Sequence, residues 1–191
     1  MTALTPGFAD PVLDAQAAFR AVLEAMSRPG RVQRAGAGLA PPAPLMPAAA
    51  AVLLALADSG TPLVHDGGED ADAWLRFHAG APVSPTLAEA AFVLATGAPP
   101  ALSALGTGTE EEPERGATLV VQVASLAEGD GWRLIGPGIE REHRLAVEGL
   151  PPGFVQAWTA NRALFPRGVD VVLCAGEHLA ALPRGITIAE G

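Results

Sequence analysis

The chain has 191 residues, enough for one domain with a hydrophobic core but cramped for two full domains. Hydrophobic residues make up 49% of it and charged residues only 17%, which excludes general disorder. The net charge is −9, so we expect no nucleic acid as a partner, because neutralisation of phosphates dominates the affinity for DNA and RNA.

All 12 basic residues are arginines, and the lack of lysine excludes two classes of enzyme. A Walker P-loop needs a lysine at the β- and γ-phosphates, and a pyridoxal-phosphate enzyme holds its cofactor as a Schiff base on a lysine. A GC-rich genome would produce the same arginine- and alanine-rich bias without any functional demand. Whatever its origin, neither chemistry can run on this chain's own residues, and we expect no pyridoxal phosphate or other cofactor.

The sequence also predicts the compartment in which the chain works. Its longest apolar run, Ala48 to Ala57, is far too short to cross a bilayer, so we expect no membrane partner. Met1 to Asp14 carries no basic residue ahead of an apolar stretch, and no secretory signal is visible there. The single Cys174 permits no internal disulfide, which fits a reducing compartment. We therefore expect a cytoplasmic protein.

The first predicted helix begins at Asp10, which suits the N-cap position, with Pro11 as its first helical residue. It ends at Arg28, because Pro29 disfavours helical geometry in the preceding residue and Gly30 completes the stop. Helical spacing puts one set of apolar residues on a single face, predicted to pack on the core: Val12, Ala15, Phe19, Val22, Leu23 and Met26.

The next elements alternate between helices and strands. We predict a loop over residues 35–47, a buried helix from Pro47 to Asp58 and a strand from Leu63 to His65. Glu69, Asp70 and Asp72 favour a helix start, and Trp74, Phe77 and His78 share a face of that helix, which ends at Gly80 and Pro82. A buried strand over Ala91–Ala95 and a short helix over Pro99–Leu105 follow.

The second half of the chain is richer in strands. Leu119, Val121 and Val123 alternate with polar or small residues, which predicts a strand, and a turn over Glu128–Gly131 predicts a hairpin to Trp132–Ile135. The remaining predictions are a strand over His143–Val147, a helix over Pro152–Ala163, and strands over Val169–Cys174, Leu179–Leu182 and Ile186–Ile188. This order predicts an α/β fold with a mixed sheet flanked by helices, in a single domain spanning residues 1–191.

Two arginine-containing segments are candidates for contact with a ligand or a partner. Arg76-Phe77-His78 lies near a helix end, where an arginine and a histidine could grip a phosphate. The plainer interpretation is that Phe77 packs and His78 sits at a helix C-terminus, where a cation is favoured. Ser27-Arg28-Pro29-Gly30 could likewise contact an anion or a partner, although helix-stop chemistry alone explains Pro29 and Gly30.

Other motifs give weaker signals. Gly106-Thr107-Gly108-Thr109 resembles a phosphate-binding loop, but it lacks a lysine and is followed by glutamates that would repel phosphate. The four histidines show no HxxxH or HExxH spacing and Cys174 has no partner at ligand spacing, so we expect no metal. Cys174 and His178 are four residues apart, yet a small buried hydrophobe is the simpler interpretation of Cys174.

Short blocks follow one another in a fixed order through nearly the whole chain. They are Phe19-Arg20, Leu23, Ala25-Met26-Ser27, Pro29-Gly30, Leu53-Leu54, Leu56-Ala57-Asp58, Thr61-Pro62, Leu75-Arg76-Phe77-His78, Ala81-Pro82, Gly106-Thr107, Pro113-Glu114, Gly116-Ala117-Thr118, Leu134, Gly136, Gly138-Ile139, Phe165-Pro166, Gly168-Val169-Asp170 and Leu182-Pro183-Arg184. Together these blocks resemble the PhnH family, subunits of the bacterial carbon–phosphorus lyase system. Two positions depart from the family pattern: Ala79 stands in place of a threonine, and Gly185-Ile186 interrupts an "LPRTT" ending.

The resemblance implies a fold similar to the pyridoxal-phosphate-dependent transferases but without their cofactor, in agreement with the missing lysine. It implies a homodimer when the chain is alone, and a core complex with the sister subunits PhnG, PhnI and PhnJ. That assembly transfers a phosphonate onto the ribose C1 of ATP with loss of adenine. The nucleosidase chemistry resides chiefly in a sister subunit, and a radical enzyme of the system later cleaves the carbon–phosphorus bond.

We therefore expect a non-autonomous subunit of a phosphonate-transferring complex, with no catalytic residue of its own. Two alternatives stay open: an independent small-molecule enzyme that uses Arg76, His78 and an acid such as Asp58 or Asp170, and a scaffold without ligand contacts. The residues predicted to contact a partner subunit or a phosphate are Arg28, Pro29, Gly30, Arg76, Phe77, His78, Thr107 and Arg184.

Overall fold

Helices cover a six-stranded sheet in the computed structural model, which describes residues 4–189. The predicted domain 1–191 also includes residues 1–3 and 190–191, which lie outside this range. The helices are α1 (Leu13–Ser27), α2 (Pro47–Leu56), α3 (Gly68–His78) and α4 (Phe154–Arg162), with 3-10 turns at Leu102–Ala104 and Pro113–Arg115. The strands are β1 (Gln33–Arg34), β2 (Leu63–His65), β3 (Phe92–Ala95), β4 (Thr118–Gln122), β5 (Ser125–Ile135), β6 (His143–Glu148), β7 (Asp170–Ala175), β8 (His178–Leu182) and β9 (Thr187–Ala189).

The six-stranded sheet has the order β1-β8-β7-β4-β3-β2. Strands β2, β3, β4 and β7 are parallel, and their first paired residues line up as Leu63, Phe92, Thr118 and Asp170. Strand β8 is antiparallel to both β7 and β1. Helices α1, α2 and α3 pack on one face, and α4 packs with a second, three-stranded sheet of order β6-β5-β9 on the other. The predicted mixed sheet with flanking helices is confirmed.

Helix α1 is where the sequence prediction of the core was wrong. Asp10 caps the helix as predicted, because its Oδ1 accepts hydrogen bonds from the amides of Val12 and Leu13. The buried face is small, however, since α1 lies against α2 and β8 through Ala18, Ala21, Val22 and Ala25. The larger apolar residues predicted to face the core, Val12, Phe19 and Leu23, are instead 75%, 48% and 56% exposed.

The predicted hairpin at residues 128–131 is also wrong. Residues Ser125–Ile135 form one continuous strand, β5, because β6 pairs with it on both sides of the glycines. Gly129 and Gly131 adopt φ values of +106° and +82°, and Glu128 and Trp132 both lie opposite Leu145. The glycines therefore form a bulge within the strand, not a reversal of the chain.

Most other elements agree with the sequence. β2 has its predicted bounds, α2 is buried, and the three C-terminal strands are present. The predicted helix over Pro99–Leu105 is reduced to a 3-10 turn, and β4 is buried on both faces because it lies inside the parallel sheet. Within residues 4–189 no helix combines the length and the apolar character needed to cross a bilayer.

Candidate functional site

The carboxyl ends of the parallel strands are where open α/β sheets usually bind ligands. Here the chain's own side chains bond to the backbone at that edge. The Asp66 carboxylate, which follows β2, accepts hydrogen bonds from the amides of Thr96 and Gly97 after β3, at 2.7 and 3.3 Å. At the end of β4, the Gln122 side chain accepts from the Met46 amide at 2.6 Å and donates to the Pro44 carbonyl at 2.9 Å. The Asp66 and Gln122 side chains therefore connect neighbouring loops by hydrogen bonds at the edge where a ligand would be expected.

Arg184, a predicted contact residue, lies inside the protein at the opposite edge of the sheet. Its guanidinium pairs with the Asp170 carboxylate, with Nη2 2.5 Å from Oδ2 and Nε 3.1 Å from both oxygens. Nη1 donates to the Pro113 carbonyl at 2.5 Å. The two charged side chains are only 13% and 16% exposed. Every donor nitrogen of Arg184 is therefore engaged by the chain itself, and the residue joins the start of β7 to the Pro113–Arg115 turn.

Thr107 pairs with Gly116, the residue that packs against the Arg184 guanidinium, so the structure places these two predicted residues in one junction. The Thr107 carbonyl accepts from the Gly168 amide at 2.9 Å, and its backbone forms a bridge with Gly116. A Cβ added to Gly116 would collide with the Gly168 carbonyl and approach Arg184 Nη1 to 2.6 Å. The missing side chain of Gly116 and its bridge to Thr107 thus allow the backbone to pack closely around Arg184. The Thr109 amide bonds to the Glu112 carbonyl, so the loop is folded onto itself.

Arg28, Pro29 and Gly30 follow α1 and contact a turn that is distant in the sequence. Gly30 has φ +86°, and a Cβ there would lie 2.6 Å from Leu134 Cδ1. Gly138, at φ +82°, approaches the Ser27 carbonyl so closely that a Cβ would collide with it. Pro29 is buried, whereas Arg28 is exposed and pairs with Glu24 at 2.9 Å. Of these three residues, only Arg28 is exposed and available for contact with a partner.

A polar concavity of about 160 Å³ opens beside this junction. It contains charges of both signs, since Arg28 and Arg31 line it together with Glu140 and Glu142. His143 Nε2 lies 3.2 Å from Glu128 Oε2, in an approach that lacks hydrogen-bond geometry. The mixed charge favours recognition of another polar surface over binding of a lone anion.

Arg76, Phe77 and His78 form the last turn of α3. The His78 ring packs against Trp74 in a tilted arrangement with ring centroids 4.8 Å apart, and its Nε2 lies 3.1 Å from the Thr5 carbonyl oxygen. Phe77 is 71% exposed, which contradicts the predicted packing of this ring and its predicted face shared with the buried Trp74. His78 therefore secures the N-terminal segment, while Arg76 and Phe77 remain on the surface.

Sequence reasoning named Asp72 only as a helix-start residue and missed its link to Arg76. Asp72 lies 2.9 Å from Arg76 Nε and 3.4 Å from Nε2 of the mostly buried His65. Partial burial raises the pKa of Asp72, but hydrogen bonds from Arg76 and His65 outweigh this, so its pKa is lowered. The four-residue spacing of Asp72 and Arg76 was the signal available in the sequence.

Replacing Asp72 with asparagine is expected to lower the free energy of unfolding by less than about 1 kcal/mol at neutral pH, because the ion pair is partly solvated. A lowered pKa in the folded state stabilises the protein above the ordinary pKa of an aspartate, and this contribution is lost as the pH falls through the lowered value. Urea denaturation at about pH 7 and about pH 3 should show the difference shrinking in acid. Glu89→Gln, at an exposed carboxylate, is the control.

The remaining candidate groups lie elsewhere. Cys174 is fully buried and desolvation raises its pKa strongly, which agrees with its interpretation as a small hydrophobe. Among residues 4–189 no cluster of three histidine, cysteine, aspartate or glutamate side chains could hold a metal. A cavity of about 320 Å³ between α4 and the Leu102–Ala104 turn is mainly apolar, and none of the predicted contact residues lines it.

The fold and these contacts define an α/β protein whose motif residues largely join distant segments, with Arg28, Arg76 and Phe77 left on the surface. A family model described as "Bacterial phosphonate metabolism protein (PhnH)" matches residues 6–189. The chain therefore belongs to the PhnH family, and the resemblance seen in the sequence is confirmed.

Two relatives cover most of the chain. It is 43% identical over 182 residues to the alpha-D-ribose 1-methylphosphonate 5-triphosphate synthase subunit PhnH of Rhizobium meliloti (strain 1021), covering 93% of this chain and 91% of the relative. It is 38% identical over 172 residues to the putative C-P lyase subunit protein HtxG of Stutzerimonas stutzeri, covering 88% of this chain and 83% of that relative.

Proposed function

We propose that this protein is a subunit of a ribose 1-methylphosphonate 5-triphosphate synthase, within a carbon–phosphorus lyase system, and that it does not catalyse the reaction by itself. The observation that carries the proposal is the 43% identity to a relative named as a subunit of that synthase, over 91% of the relative's length. The internal pairing of Asp66, Gln122 and Arg184 supports the non-autonomous role, because these polar groups already have partners within the chain.

The finer parts of the proposal follow the family resemblance. The complex transfers a phosphonate to the ribose C1 of ATP with release of adenine, and this chain is required for the coupled reaction. Its partners are PhnG, PhnI and PhnJ, with a homodimer when it is alone, in the cytoplasm. The whole of residues 1–191 acts as one domain with a fold like that of the pyridoxal-phosphate-dependent transferases. It binds no pyridoxal phosphate, since no lysine can form the Schiff base.

Within this proposal, the exposed candidate residues contact partner subunits, and the buried or internally bonded candidate residues stabilise the fold. Arg76 and Phe77 present a cation and an aromatic ring side by side at the end of α3, and such side chains are enriched at protein interfaces. Arg28 offers a third exposed contact. Pro29 and Gly30 act indirectly, since they fix the chain beside Arg28, and His78 holds the end of α3 against Thr5. Thr107 and Arg184 stabilise a different junction, between β7 and the Pro113–Arg115 turn.

The independent-enzyme alternative receives less support from the geometry. The acid of such an enzyme would be Asp170 or Asp58. Asp170 is already paired with Arg184. It also lies on β7, three strands away from β2, the strand that precedes α3 with Arg76 and His78, and this separation is about 14 Å at the usual strand spacing. The Asp58 carboxylate accepts from the Gly60 amide at 2.8 Å, within its own turn. The scaffold alternative shares the same exposed contacts and differs from the leading proposal only in lacking ligand contact.

The decisive assay mixes ATP and methylphosphonate with the purified chain, with the purified PhnG, PhnI and PhnJ subunits, and with all four. We expect the triphosphate product only from the complete mixture. Formation of the product by the lone chain would overturn the non-autonomous role, and an undiminished yield from the three sister subunits alone would overturn the requirement. Protection of this chain by ATP within the assembly would argue against a scaffold without ligand contact.

Replacing Arg76 with alanine is expected to weaken assembly or coupled activity by roughly ten-fold, because exposed arginines in interfaces are frequent energetic centres. The isolated variant should unfold within about 1 kcal/mol of the wild type, since its ion pair with Asp72 is partly solvated. Arg115→Ala is the control, because Arg115 is 70% exposed and pairs with Glu112, three residues before it, at 2.9 Å. Equal activity of the Arg76 variant and this control would remove Arg76 from the contact surface.

A further inference from the structure

Strand β6 forms one edge of the three-stranded sheet, because the order of that sheet is β6-β5-β9. The strand runs for six residues, His143–Glu148, and is about 20 Å long at the usual rise per residue. Within residues 4–189, its backbone bonds only to β5 and to Ala124, the residue before β5. The outer edge of β6 therefore presents amides and carbonyls that another strand can pair with.

The other sheet edges are shorter, and two of them are covered. β1 has two residues, whereas β2 and β9 have three each. The chain after α3 runs along β2, where the Ser84 amide donates to the Leu63 carbonyl at 2.9 Å, and α4 packs against β9. In the part of the chain that the structure describes, β6 is thus the longest open edge.

The side chains of β6 form a pattern that is complementary to itself. Successive side chains of a strand point to opposite faces, so Arg144, Ala146 and Glu148 share one face. Arg144 and Glu148 are exposed and lie two residues before and after the half-buried Ala146. On the other face, Leu145 and Val147 also flank Ala146, and both are apolar. The strand therefore has a positive end, a negative end and a small residue midway between them.

An antiparallel pair of two β6 strands brings these opposite ends together. With Ala146 opposite Ala146 of a second copy, each Arg144 lies opposite a Glu148 and each Leu145 opposite a Val147. Such a contact is two-fold symmetric, with the same surface used by both copies. Opposite charges and apolar side chains placed directly across two strands stabilise the pairing.

The neighbouring charges on this face preserve the two unlike ends. Arg133 of β5 lies opposite Arg144, and Glu142 lies 3.7 Å from a nitrogen of each arginine, so this group keeps a positive charge. At the other end, the Glu148 carboxylate accepts a hydrogen bond from the Ser125 hydroxyl at 2.9 Å, which holds it at the edge and leaves its charge in place. A different polypeptide would need its own matching charges, whereas a second copy already carries them.

We propose that the outer edge of β6 pairs with β6 of a second copy about a two-fold axis at Ala146, which joins two three-stranded sheets into one continuous sheet. This inference rests on the proposed function, because it assigns a surface to the homodimer that the chain forms when it is alone. The surface lies outside the set of residues that the sequence predicted to make contacts.

The test reverses the charges of β6 and measures the dissociation constant of the lone homodimer by sedimentation equilibrium. Arg144→Glu and Glu148→Arg each place like charges opposite one another at both ends of the pair, so either change alone should raise the constant roughly ten-fold or more. The double variant restores opposite charges and should return the constant close to the wild-type value. Arg115→Glu, at a 70% exposed arginine outside β6, is the control and should leave the constant unchanged.

Thermal unfolding at a dilution where the wild type is monomeric checks that each variant keeps its fold. A homodimer unaffected by the single reversals would refute the β6 interface, and so would a double variant that stays as weak as the single ones. Reversals that lower recovery of PhnG, PhnI and PhnJ but leave the homodimer intact would assign the edge to a sister subunit and also refute it. A wild type that stays monomeric would overturn the proposed homodimer together with this interface, while the four-subunit assay tests the synthase role separately.

Discussion

Replacing Asp170 with alanine is expected to lower the free energy of unfolding by about 3–5 kcal/mol, because it leaves the guanidinium of Arg184 buried without its counter-charge. Both side chains are largely buried, and the pair is held by three contacts of 2.5–3.1 Å between their nitrogens and oxygens. The Arg184 amide also loses its acceptor, since it donates to Asp170 Oδ1 at 2.7 Å. Urea denaturation followed by circular dichroism measures the loss.

The control for this prediction is Arg144→Ala. Arg144 is 43% exposed and lies 3.7 Å from Glu142, so its removal should cost no more than about 0.5 kcal/mol. If Asp170→Ala were as stable as this control, the pair would not be the junction between β7 and the Pro113–Arg115 turn that its geometry indicates.

Replacing Gly138 with alanine is the second substitution with a large expected effect, about 3 kcal/mol of destabilisation. Its backbone is in the left-handed region, and the new methyl group would collide with the Ser27 carbonyl oxygen at the end of α1. The atoms that the methyl group would meet belong to the Ser27 backbone, so they cannot move aside as the end of a flexible side chain can. The substitution should therefore separate the Gly136–Ile139 turn from α1 and also displace Arg28, which can be followed as weaker recovery of sister subunits.

Gly38→Ala separates the cost of the left-handed backbone conformation from the cost of the collision with Ser27. Gly38 has a similar φ of +76°, but a Cβ there would meet no atom within 4 Å. The control should lose only about 1 kcal/mol from the unfavourable backbone conformation. Equal losses at both positions, measured by thermal unfolding, would mean that the contact with Ser27 contributes nothing.

Much of the fold could be predicted from local patterns. β2, with its three residues between Pro62 and Asp66, and α2, with its continuous apolar run, follow directly from composition and spacing. The exposure of Val12, Phe19 and Leu23 could not be predicted in this way, because α1 has apolar residues on more than one side and spacing does not say which side meets the core. The answer depends on α2, whose alanines allow α1 to approach closely only through small residues.

The sequence named some residues of these junctions but not the contacts they make. Arg184 and Thr107 were named from the sequence, yet Arg184 meets Asp170 14 positions away and Pro113 71 positions away. Such separations leave no periodic signal. The exposure of Phe77 could likewise not be predicted, since an aromatic residue near Trp74 on a helix is more often buried. The type of each residue indicates which interactions its side chain can make, whereas the burial of that side chain is visible only in the tertiary structure.

The position of β8 has a consequence for how the chain is made. β8 lies between β7 and β1, so the N-terminal strand Gln33–Arg34 has its sheet partner near the other end of the chain. On a ribosome, residues 33–34 emerge long before His178–Leu182 and must wait unpaired until those residues have been made. A chain cut before His178 would leave the whole edge of β7 open to other strands, and open edges invite aggregation. Cellular proteases and chaperones would therefore meet a vulnerable nascent protein until β8 has been added.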